Sequence, residues 1–210
     1  MLLEIYLFVD PLDKQCYEAE KAVEKVARTL KSQLVIHFIP LLSINVLNDF
    51  KNPLKKRFHR SVPYDMVINY KAASFQGQRC GRNFLMSLQE QLFDEEEAYC
   101  HEIIMQTAAK QQLDLEMFDE DRQSKLVAET YHSDQVAAIN MNITEPASAV
   151  LFNTRLEDSG IIIRDFNYES LLKYCQDSIK ESSYLEEVDS ENANDPVEHK
   201  IIKYADLKSL

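Results

Sequence analysis

The stretch that decides the fold is LLEIYLFVDPLDKQCYEAEKAVEKVARTLKSQLVIHFIPLL, residues 2–42. Its first part, residues 2–9, is a short and almost continuous apolar run that stops at Asp10, which is typical of a buried strand leading into a loop. Residues 14–31 then repeat apolar side chains at helical spacing, and residues 33–42 form a second apolar run. These segments predict a β-α-β unit, for which a parallel pair of strands and a right-handed crossover are expected.

The middle of the chain predicts helices. Residues 43–65 are less regular and include a basic run at residues 51–60, KNPLKKRFHR. We interpret this run as a solvated face, with binding to an acidic segment of a partner as the alternative. Residues 66–138 carry helical patterns that predict three or four helices, with Leu113 and Asp114 as the break and cap before the last of them.

Strands return near the end of the chain. Residues 147–152, ASAVLF, and residues 160–164, GIIIR, predict two strands joined by a hairpin-type connection, because Asn, Asp and Gly lie between them. A helix is expected at residues 168–179. After Lys180 the sequence is acidic, rich in Ser and Asn, and without periodicity, which favours a flexible tail. The last residues, IIKYADLKSL, are more apolar and are expected either to pack back on the domain or to serve a partner.

This order of elements predicts an α/β protein with a thioredoxin-like fold that an all-helical insertion interrupts. The discontinuous thioredoxin-like domain comprises residues 1–65 and 139–180, and the helical insertion comprises residues 66–138. Residues 181–210 form an acidic C-terminal tail. With 210 residues, of which 45% are hydrophobic, the chain has enough material for one such domain and its elaboration.

Charge and the N-terminal residues narrow the possible functions. The formal net charge of −12 argues against nucleic-acid binding, because a phosphate backbone must meet a surplus of Lys and Arg. Protein partners with basic patches are expected instead. The N-terminus has no basic segment and no small-residue cleavage site, and its apolar run is too short for a membrane span. We therefore expect a cytoplasmic protein that does not associate with membranes.

The four cysteines, Cys16, Cys80, Cys100 and Cys175, are far apart and form no C-x-x-C motif. In a reducing cytoplasm they are expected to be thiols. The five histidines are scattered and none lies at zinc-finger spacing from the cysteines. The sequence therefore predicts no metal site and no cofactor.

Three strings in the chain resemble one known family. Asp10-Pro11-Leu12 followed by Cys16-Tyr17 is similar to the D-P-L-C-x-x-C-W turn of DsbA-like cytoplasmic proteins. Residues 72–92, AASFQGQRCGRNFLMSLQEQL, and residues 133–152, SDQVAAINMNITEPASAVLF, resemble later segments of the same group. The chain up to about residue 180 thus resembles the DsbA-like thioredoxin-fold family. Within that family it is similar to the SpxH (YjbH) group of Gram-positive bacteria, with FrnE-like dithiol oxidoreductases as wider relatives.

The resemblance implies a redox site reduced to one cysteine. In a working C-x-x-C turn the first cysteine is the helix N-cap and the nucleophile. That position holds Asp13, which caps a helix well but can neither attack nor form a disulfide. Cys16 corresponds to the second, resolving cysteine. We interpret Cys16 as a small buried side chain, with a regulated or glutathione-linked monothiol as the alternative.

The resemblance also implies a substrate-binding loop at Glu145 and Pro146. In thioredoxin-like folds a cis-proline precedes the third core strand, and the backbone of the residue before it pairs with an extended substrate chain. Pro146 is therefore expected to be cis. The charge of Glu145 is expected near Asp13, where it would repel a developing thiolate.

Two functions follow from the resemblance. The first is a non-catalytic cytoplasmic adaptor that presents a transcription regulator of the Spx type to the ClpXP protease. The alternative is an enzyme, a thiol-disulfide oxidoreductase or isomerase of the DsbA family that acts through Cys16. A distant thiol such as Cys80 would then assist it, because Arg79 and Arg82 beside Cys80 favour a thiolate and make it a candidate for oxidation. The alternative interpretation is that Cys80 is an ordinary surface residue of a helix with no redox role.

Overall fold

The computed structural model describes residues 3–48, 52–154, 159–188 and 202–203. Within them the strands are β1 (Leu3–Val9), β2 (Leu34–Pro40), β3 (Ser148–Asn153), β4 (Ser159–Ile163) and β5 (Ile202–Lys203). The helices are α1 (Lys14–Leu30), α2 (Ile44–Leu47), α3 (Pro53–Arg57), α4 (Val62–Phe75), α5 (Gln78–Phe93), α6 (His101–Lys110), α7 (Leu115–Arg122), α8 (Lys125–Asn140) and α9 (Tyr168–Val188). This part of the chain contains no helix that is long and apolar enough to cross a membrane.

The three elements of the opening β-α-β unit form where the sequence predicts them, and β1 and β2 are neighbours in the sheet. β1 alternates buried and half-buried residues and then becomes fully buried over Leu7–Val9, in keeping with its almost continuous apolar run. The helix that follows buries one stripe, which includes Val23 and Val26. A short 3-10 turn, Lys31–Gln33, leads from α1 into β2.

The sheet has the strand order β2-β1-β3-β4-β5. β3 and β4 form the predicted hairpin and pair antiparallel, with Phe152 opposite Gly160 and Ala149 opposite Ile163. Every residue of β3 is buried, which fits its position between two neighbours in the sheet. The architecture is therefore α/β and thioredoxin-like, with a large helical region between β2 and β3.

The helical region contains more helices than the three or four predicted for residues 66–138. Five helices, α4 to α8, lie between Val62 and Asn140. Asp114 is the N-cap of α7, as predicted, and its side chain accepts a hydrogen bond from the Met117 N–H. The missed boundary lies at Ser124, whose hydroxyl oxygen accepts from the Val127 N–H and so begins α8 as a separate helix.

The C-terminal prediction is wrong in one respect. The helix expected at residues 168–179 runs to Val188, so residues 181–188 are helical and do not belong to a flexible tail. Leu185 and its neighbouring glutamates are good helix formers, which accounts for the extension. Ile202 and Lys203 pair antiparallel with β4. The other residues of the predicted tail lie outside the described part of the chain.

The chain divides into two compact units. The first is formed by described residues of the segments 1–7, 18–37 and 147–210 and contains most of the sheet, with buried Asn153 donating from its side chain to the Ser178 carbonyl of α9 at 2.8 Å. The second is formed by the segments 8–17 and 38–146 and is centred on α4, which has ten buried residues.

Candidate functional site

The candidate site is the Asp10–Cys16 turn, the segment between β1 and the first turn of α1. Asp13 is the N-cap of α1, because its Oδ1 accepts a hydrogen bond from the Cys16 N–H at 2.9 Å. The Asp13 carbonyl accepts the first helical hydrogen bond, from the Tyr17 N–H at 3.1 Å. The predicted cap is confirmed. One oxygen of the Asp13 carboxylate is therefore engaged in holding the start of the helix.

Cys16 lies inside this turn and its side chain is not exposed to solvent at all. The Asp10 N–H donates to its sulfur at 3.3 Å. All four cysteines fall within the described residues and none forms a disulfide. A thiol at this depth cannot meet a bulky disulfide substrate without local opening of the turn, so the geometry favours the interpretation of Cys16 as a packed core side chain.

The buried carboxylate of Asp10 stabilises the turn through a hydrogen bond and an ion pair. Its Oδ1 accepts from the Leu12 N–H at 3.0 Å, and its other carboxylate oxygen forms an ion pair with Lys55 Nζ. The side chains of Asp10 and Lys55 are only 2% and 8% exposed. Burial raises the pKa of the Asp10 carboxyl above its ordinary value, and the hydrogen bond and charge of Lys55 oppose that shift.

The Lys55 ion pair corrects the interpretation of the basic run at one residue, whereas Lys56, Arg57, His59 and Arg60 are exposed as expected. Residues 51–60 were expected to form a solvated face, yet Lys55 at their centre is buried against Asp10 and also donates to the Val46 carbonyl. The physical reason is that Asp10, once buried at the end of β1, needs a cation and hydrogen-bond donors. No local periodicity signals this, because the two residues are 45 positions apart.

Two amide side chains complete the support of the turn. Asn52 Nδ2 donates to the Leu12 carbonyl at 2.9 Å, and Gln89 Nε2 donates to the Pro11 carbonyl at 3.3 Å. Both amide side chains are buried. Their hydrogen bonds satisfy backbone carbonyls of the turn, since buried carbonyl groups need partners within the protein. Sequence reasoning missed these contacts, although Gln89 lies in the string 72–92 that carries the family resemblance.

The expectation for Pro146 is wrong. No peptide bond among the described residues is cis, so the bond between Glu145 and Pro146 is trans. The chain turns instead at Ala147, which has a φ of 57° in the left-handed region. A trans bond is the intrinsically favoured form even before proline, and a change of direction at the next residue makes the cis form unnecessary. Glu145 is exposed and Pro146 is half-buried.

The string around Cys80 has structural roles. Gly77 caps α5 with a φ of 129°, which favours glycine, and a Cβ added at Gly81 would lie 1.9 Å from Ser74 Oγ. The Gln76 side chain donates to the Asp114 carbonyl at 2.9 Å and accepts from its N–H at 2.8 Å. Cys80 is half-buried in the first turn of α5. The glycines and Gln76 therefore serve helix packing.

The site thus holds two carboxylates, one buried lysine and one buried thiol, and it lacks an exposed nucleophile. Within the described residues, no three histidine, cysteine or acidic side chains are grouped so that they could hold a metal ion. Helix α2 adjoins the turn, because Lys55 contacts both Asp10 and the Val46 carbonyl. Its residues Ile44 and Leu47 are 78% and 42% exposed. Exposed apolar side chains beside the turn suit contact with a protein surface.

The chain is similar in sequence to known proteins. A sequence model of the thioredoxin family matches residues 6–174. The chain is 28% identical over 183 residues to the ClpXP adapter protein SpxH of Bacillus subtilis, an alignment that covers 76% of this chain and 61% of that protein. It is 27% identical to SpxH of Bacillus licheniformis, with 80% and 64% covered. The chain therefore spans less than two thirds of the length of these relatives.

Solved structures show the same fold. The putative protein disulfide isomerase of Nitrosomonas europaea superposes with a TM-score of 0.66 at 12% identity, covering 90% of this chain and 100% of that one. The oxidoreductase DsbA of Xylella fastidiosa superposes with a TM-score of 0.59 at 10% identity, covering 89% and 88%. At this level of identity the likeness concerns the fold alone. With the matching family model and the SpxH relatives, it shows that the chain belongs to the thioredoxin family, with a DsbA-like fold and a sequence related to SpxH.

Proposed function

We propose that this chain is a non-catalytic adaptor that presents a protein substrate, a transcription regulator of the Spx type, to the ClpXP protease. The observation that carries the proposal is the replacement of the nucleophilic cysteine by Asp13, whose carboxylate caps α1. A turn that cannot cycle between dithiol and disulfide can still be kept as a rigid surface for recognition. The similarity to SpxH adapters points to the class of partner.

The surroundings of the turn support recognition over chemistry. The buried Asp10–Lys55 ion pair and the amides of Asn52 and Gln89 fix the backbone of the turn on several sides. A fixed backbone loses little conformational entropy when a partner binds, which benefits affinity. Lys55 connects α2 to the turn, because it donates to the Val46 carbonyl of that helix. Ile44 of α2 is exposed and offers apolar surface area to a partner.

A reconstituted degradation assay tests the proposal. Purified ClpX, ClpP, ATP and an Spx-type regulator are mixed with or without this chain, and the half-life of the regulator is followed by gel electrophoresis. We expect faster degradation when the chain is present. An unchanged half-life, together with no regulator binding to the immobilised chain, would contradict the proposal.

Two substitutions sharpen the assay. Leu47→Glu places a charge on the exposed apolar surface of α2 and is expected to weaken adaptor activity. Leu126→Glu is the matched control, because Leu126 is also an exposed leucine, 58% accessible, but lies on α8. Equal losses in both variants would show that the surface of α2 has no special role.

Cys16→Ser separates the adaptor from the oxidoreductase alternative. An adaptor is expected to keep its activity in this variant, provided that circular dichroism shows an intact fold. The alternative requires reduction of insulin disulfides by the wild-type chain and loss of that activity in Cys16→Ser. Insulin reduction that depends on Cys16 would therefore replace the proposed function with a thiol-disulfide oxidoreductase.

A further inference from the structure

A basic patch of four exposed side chains spans the end of α3 and the turn before α4. Its members are Lys56, Arg57, His59 and Arg60. The run that contains them, residues 51–60, holds five of the 23 lysines and arginines of the chain and no acidic residue. Basic residues are therefore concentrated here in a chain whose net charge is −12.

Carboxylates of the chain do not neutralise this patch. In the described part of the chain, Lys56, Arg57 and His59 form no ion pair with an acidic side chain. Arg57 Nη2 donates to two backbone carbonyls, those of Glu96 and, at 3.1 Å, Glu97. The carboxylates of these two glutamates are exposed and do not pair with Arg57. The positive charge of the patch thus remains available at the surface.

Solubility does not account for the patch. A net charge far from zero keeps a protein soluble, and each exposed cation brings this chain closer to zero. Charged groups at an interface are arranged so that opposite potentials meet, which increases the rate of association and excludes wrong partners. An unneutralised positive patch on an acidic protein therefore fits a partner surface of negative charge.

Exposed apolar side chains of α2 lie on one side of the patch. Lys55 donates to the Val46 carbonyl, which places α3 against α2, and Lys56 is the next residue along the chain. Ile44 and Leu47 are exposed and lie three residues apart, so they share one side of this single helical turn. Apolar area thus adjoins the cations.

An exposed aromatic side chain lies on the other side of the patch. The Val62 N–H donates to the His59 carbonyl at 3.0 Å, so the chain turns directly from the patch into α4. Tyr64, in the first turn of α4, is 45% exposed, and its ring lies 5.6 Å from that of Tyr131 in α8. Tyrosine combines apolar area with a polar hydroxyl and is enriched at protein interfaces.

We propose that the basic patch binds an acidic segment of the protein substrate, whose apolar side chains contact Leu47 on one side and Tyr64 on the other. The identity of the partner rests on the proposed adaptor function. The apolar flanks favour a protein segment over a nucleic acid, and the net charge of −12 repels an extended phosphate backbone.

Fluorescence anisotropy with the full chain tests the charge of the partner. The probe is a labelled synthetic peptide, LEELDEFLEEL, and the neutral control peptide is LQQLNQFLQQL. Lys56→Glu reverses one charge of the patch. Lys173→Glu is the matched control, because Lys173 is also an exposed lysine but lies on α9. Circular dichroism checks the fold of each variant.

A second pair of variants tests the aromatic flank. Tyr64→Ser removes the ring beside the patch. Tyr174→Ser is its control, because Tyr174 is 43% exposed and lies on a helix surface as well, on α9. Only the first of these variants is expected to weaken binding of the acidic peptide.

We expect Lys56→Glu to weaken binding of the acidic peptide about fivefold and Lys173→Glu to leave it within about twofold. The neutral peptide should bind at least about tenfold more weakly, and added salt should reduce the difference between the two peptides. Failure of the acidic peptide to bind, equal binding of both peptides, or equal losses in a variant and its control would each overturn the proposal. Tighter binding of a single-stranded DNA oligonucleotide of similar charge would also overturn it.

The degradation assay separates this proposal from the adaptor function. If the wild-type chain accelerates degradation and Lys56→Glu does so equally well, the adaptor function stands and the role of the patch fails. If the acidic peptide binds as expected but the chain does not affect degradation, the patch stands and the adaptor function fails.

Discussion

Asp13 and Cys16 lie at the two positions that the family resemblance assigns to the cysteines of a redox turn. Asp13 gives the helix a carboxylate cap, and Cys16 fills a buried position with a small side chain. If the turn corresponds to a C-x-x-C motif, Asp13 at the N-cap and Cys16 at the third helical residue stand at the positions of its two cysteines.

Restoring the missing thiol tests this correspondence. The substitution Asp13→Cys should allow a disulfide with Cys16 under mild oxidation, because the two positions are three residues apart at the start of one helix. It should also cost about 1 kcal/mol of stability through the loss of the cap. Intact-mass measurement after alkylation detects the disulfide. Asp13→Ser, which keeps a capping oxygen but adds no thiol, is the control, and absence of any disulfide would show that the turn is misaligned with the redox motif.

The buried ion pair makes a second prediction at the level of one residue. Lys55→Met leaves the Asp10 carboxylate buried without its cation and should lower the free energy of unfolding by about 3–5 kcal/mol. Lys56→Met, at an exposed neighbour in α3, should change it by less than about 0.5 kcal/mol. Urea unfolding followed by circular dichroism measures both. The double variant Asp10→Asn with Lys55→Met should recover part of the loss; equal stability of the two single variants would refute the role of the pair.

Helices α4 and α5 depend on a close approach at Gly81. A Cβ at this position would lie 1.9 Å from Ser74 Oγ and 2.9 Å from Ser74 Cα. Gly81→Ala should therefore separate the two helices and cost roughly 1–3 kcal/mol in thermal or urea unfolding. Ser74→Gly in the same chain should restore only part of this, since the clash with the backbone atom persists. A neutral Gly81→Ala variant would mean that the helices pack less closely.

Burial of Asp134 between helices α4 and α8 makes the stability of the protein depend on pH, an effect that its ion pair with Lys71 opposes. Asp134 of α8 pairs with Lys71 of α4, and burial raises the pKa of Asp134 to about 6. Between pH 4 and 6, approximately, the native state then binds more protons at this residue than the unfolded state does. Its contribution to the free energy of unfolding is fully present at the lower end of that range. It is lost as the pH rises, by up to about 3 kcal/mol.

The measurement for Asp134 compares the wild type with Asp134→Asn in urea at several pH values from 4 to 7. The wild-type advantage over the variant should shrink as the pH increases through this window. Asp177→Asn, which removes a half-buried carboxylate from α9, controls for the change in net charge. An advantage that grows with pH would reverse the assignment.

At the scale of elements, patterns local to the sequence predicted most of the fold. The change from a continuous apolar run to helical spacing and back identified β1, α1 and β2. The turn residues Asn, Asp and Gly between two short apolar runs identified the β3-β4 hairpin. The boundary at Ser124 was missed because its signal is one hydroxyl in a long helical pattern. The ion pair between Asp10 and Lys55 was not predicted, because folding brings the two residues together and no local sequence pattern indicates their contact.

At the scale of the whole molecule, the rates at which the four thiols are alkylated report on how the chain unfolds. Cys100 is exposed and Cys80 is half-buried, whereas Cys16 and Cys175 are fully buried. Burial also raises the pKa of Cys175 to about 12, which leaves little thiolate near neutral pH. Alkylation should therefore be fast at Cys100, slower at Cys80, and limited by unfolding at the other two.

The two buried thiols belong to different compact units, Cys175 to the first and Cys16 to the second. β1 contributes Leu3–Leu7 to one unit and its last two residues to the other, so the unfolding of either unit should disrupt a strand that both require. We therefore expect Cys16 and Cys175 to become reactive at the same urea concentration, measured by pulsed alkylation and peptide mass spectrometry. Cys100 provides the internal control, since it should react at every urea concentration. Reaction of Cys175 at distinctly lower urea than Cys16 would show instead that the units unfold independently.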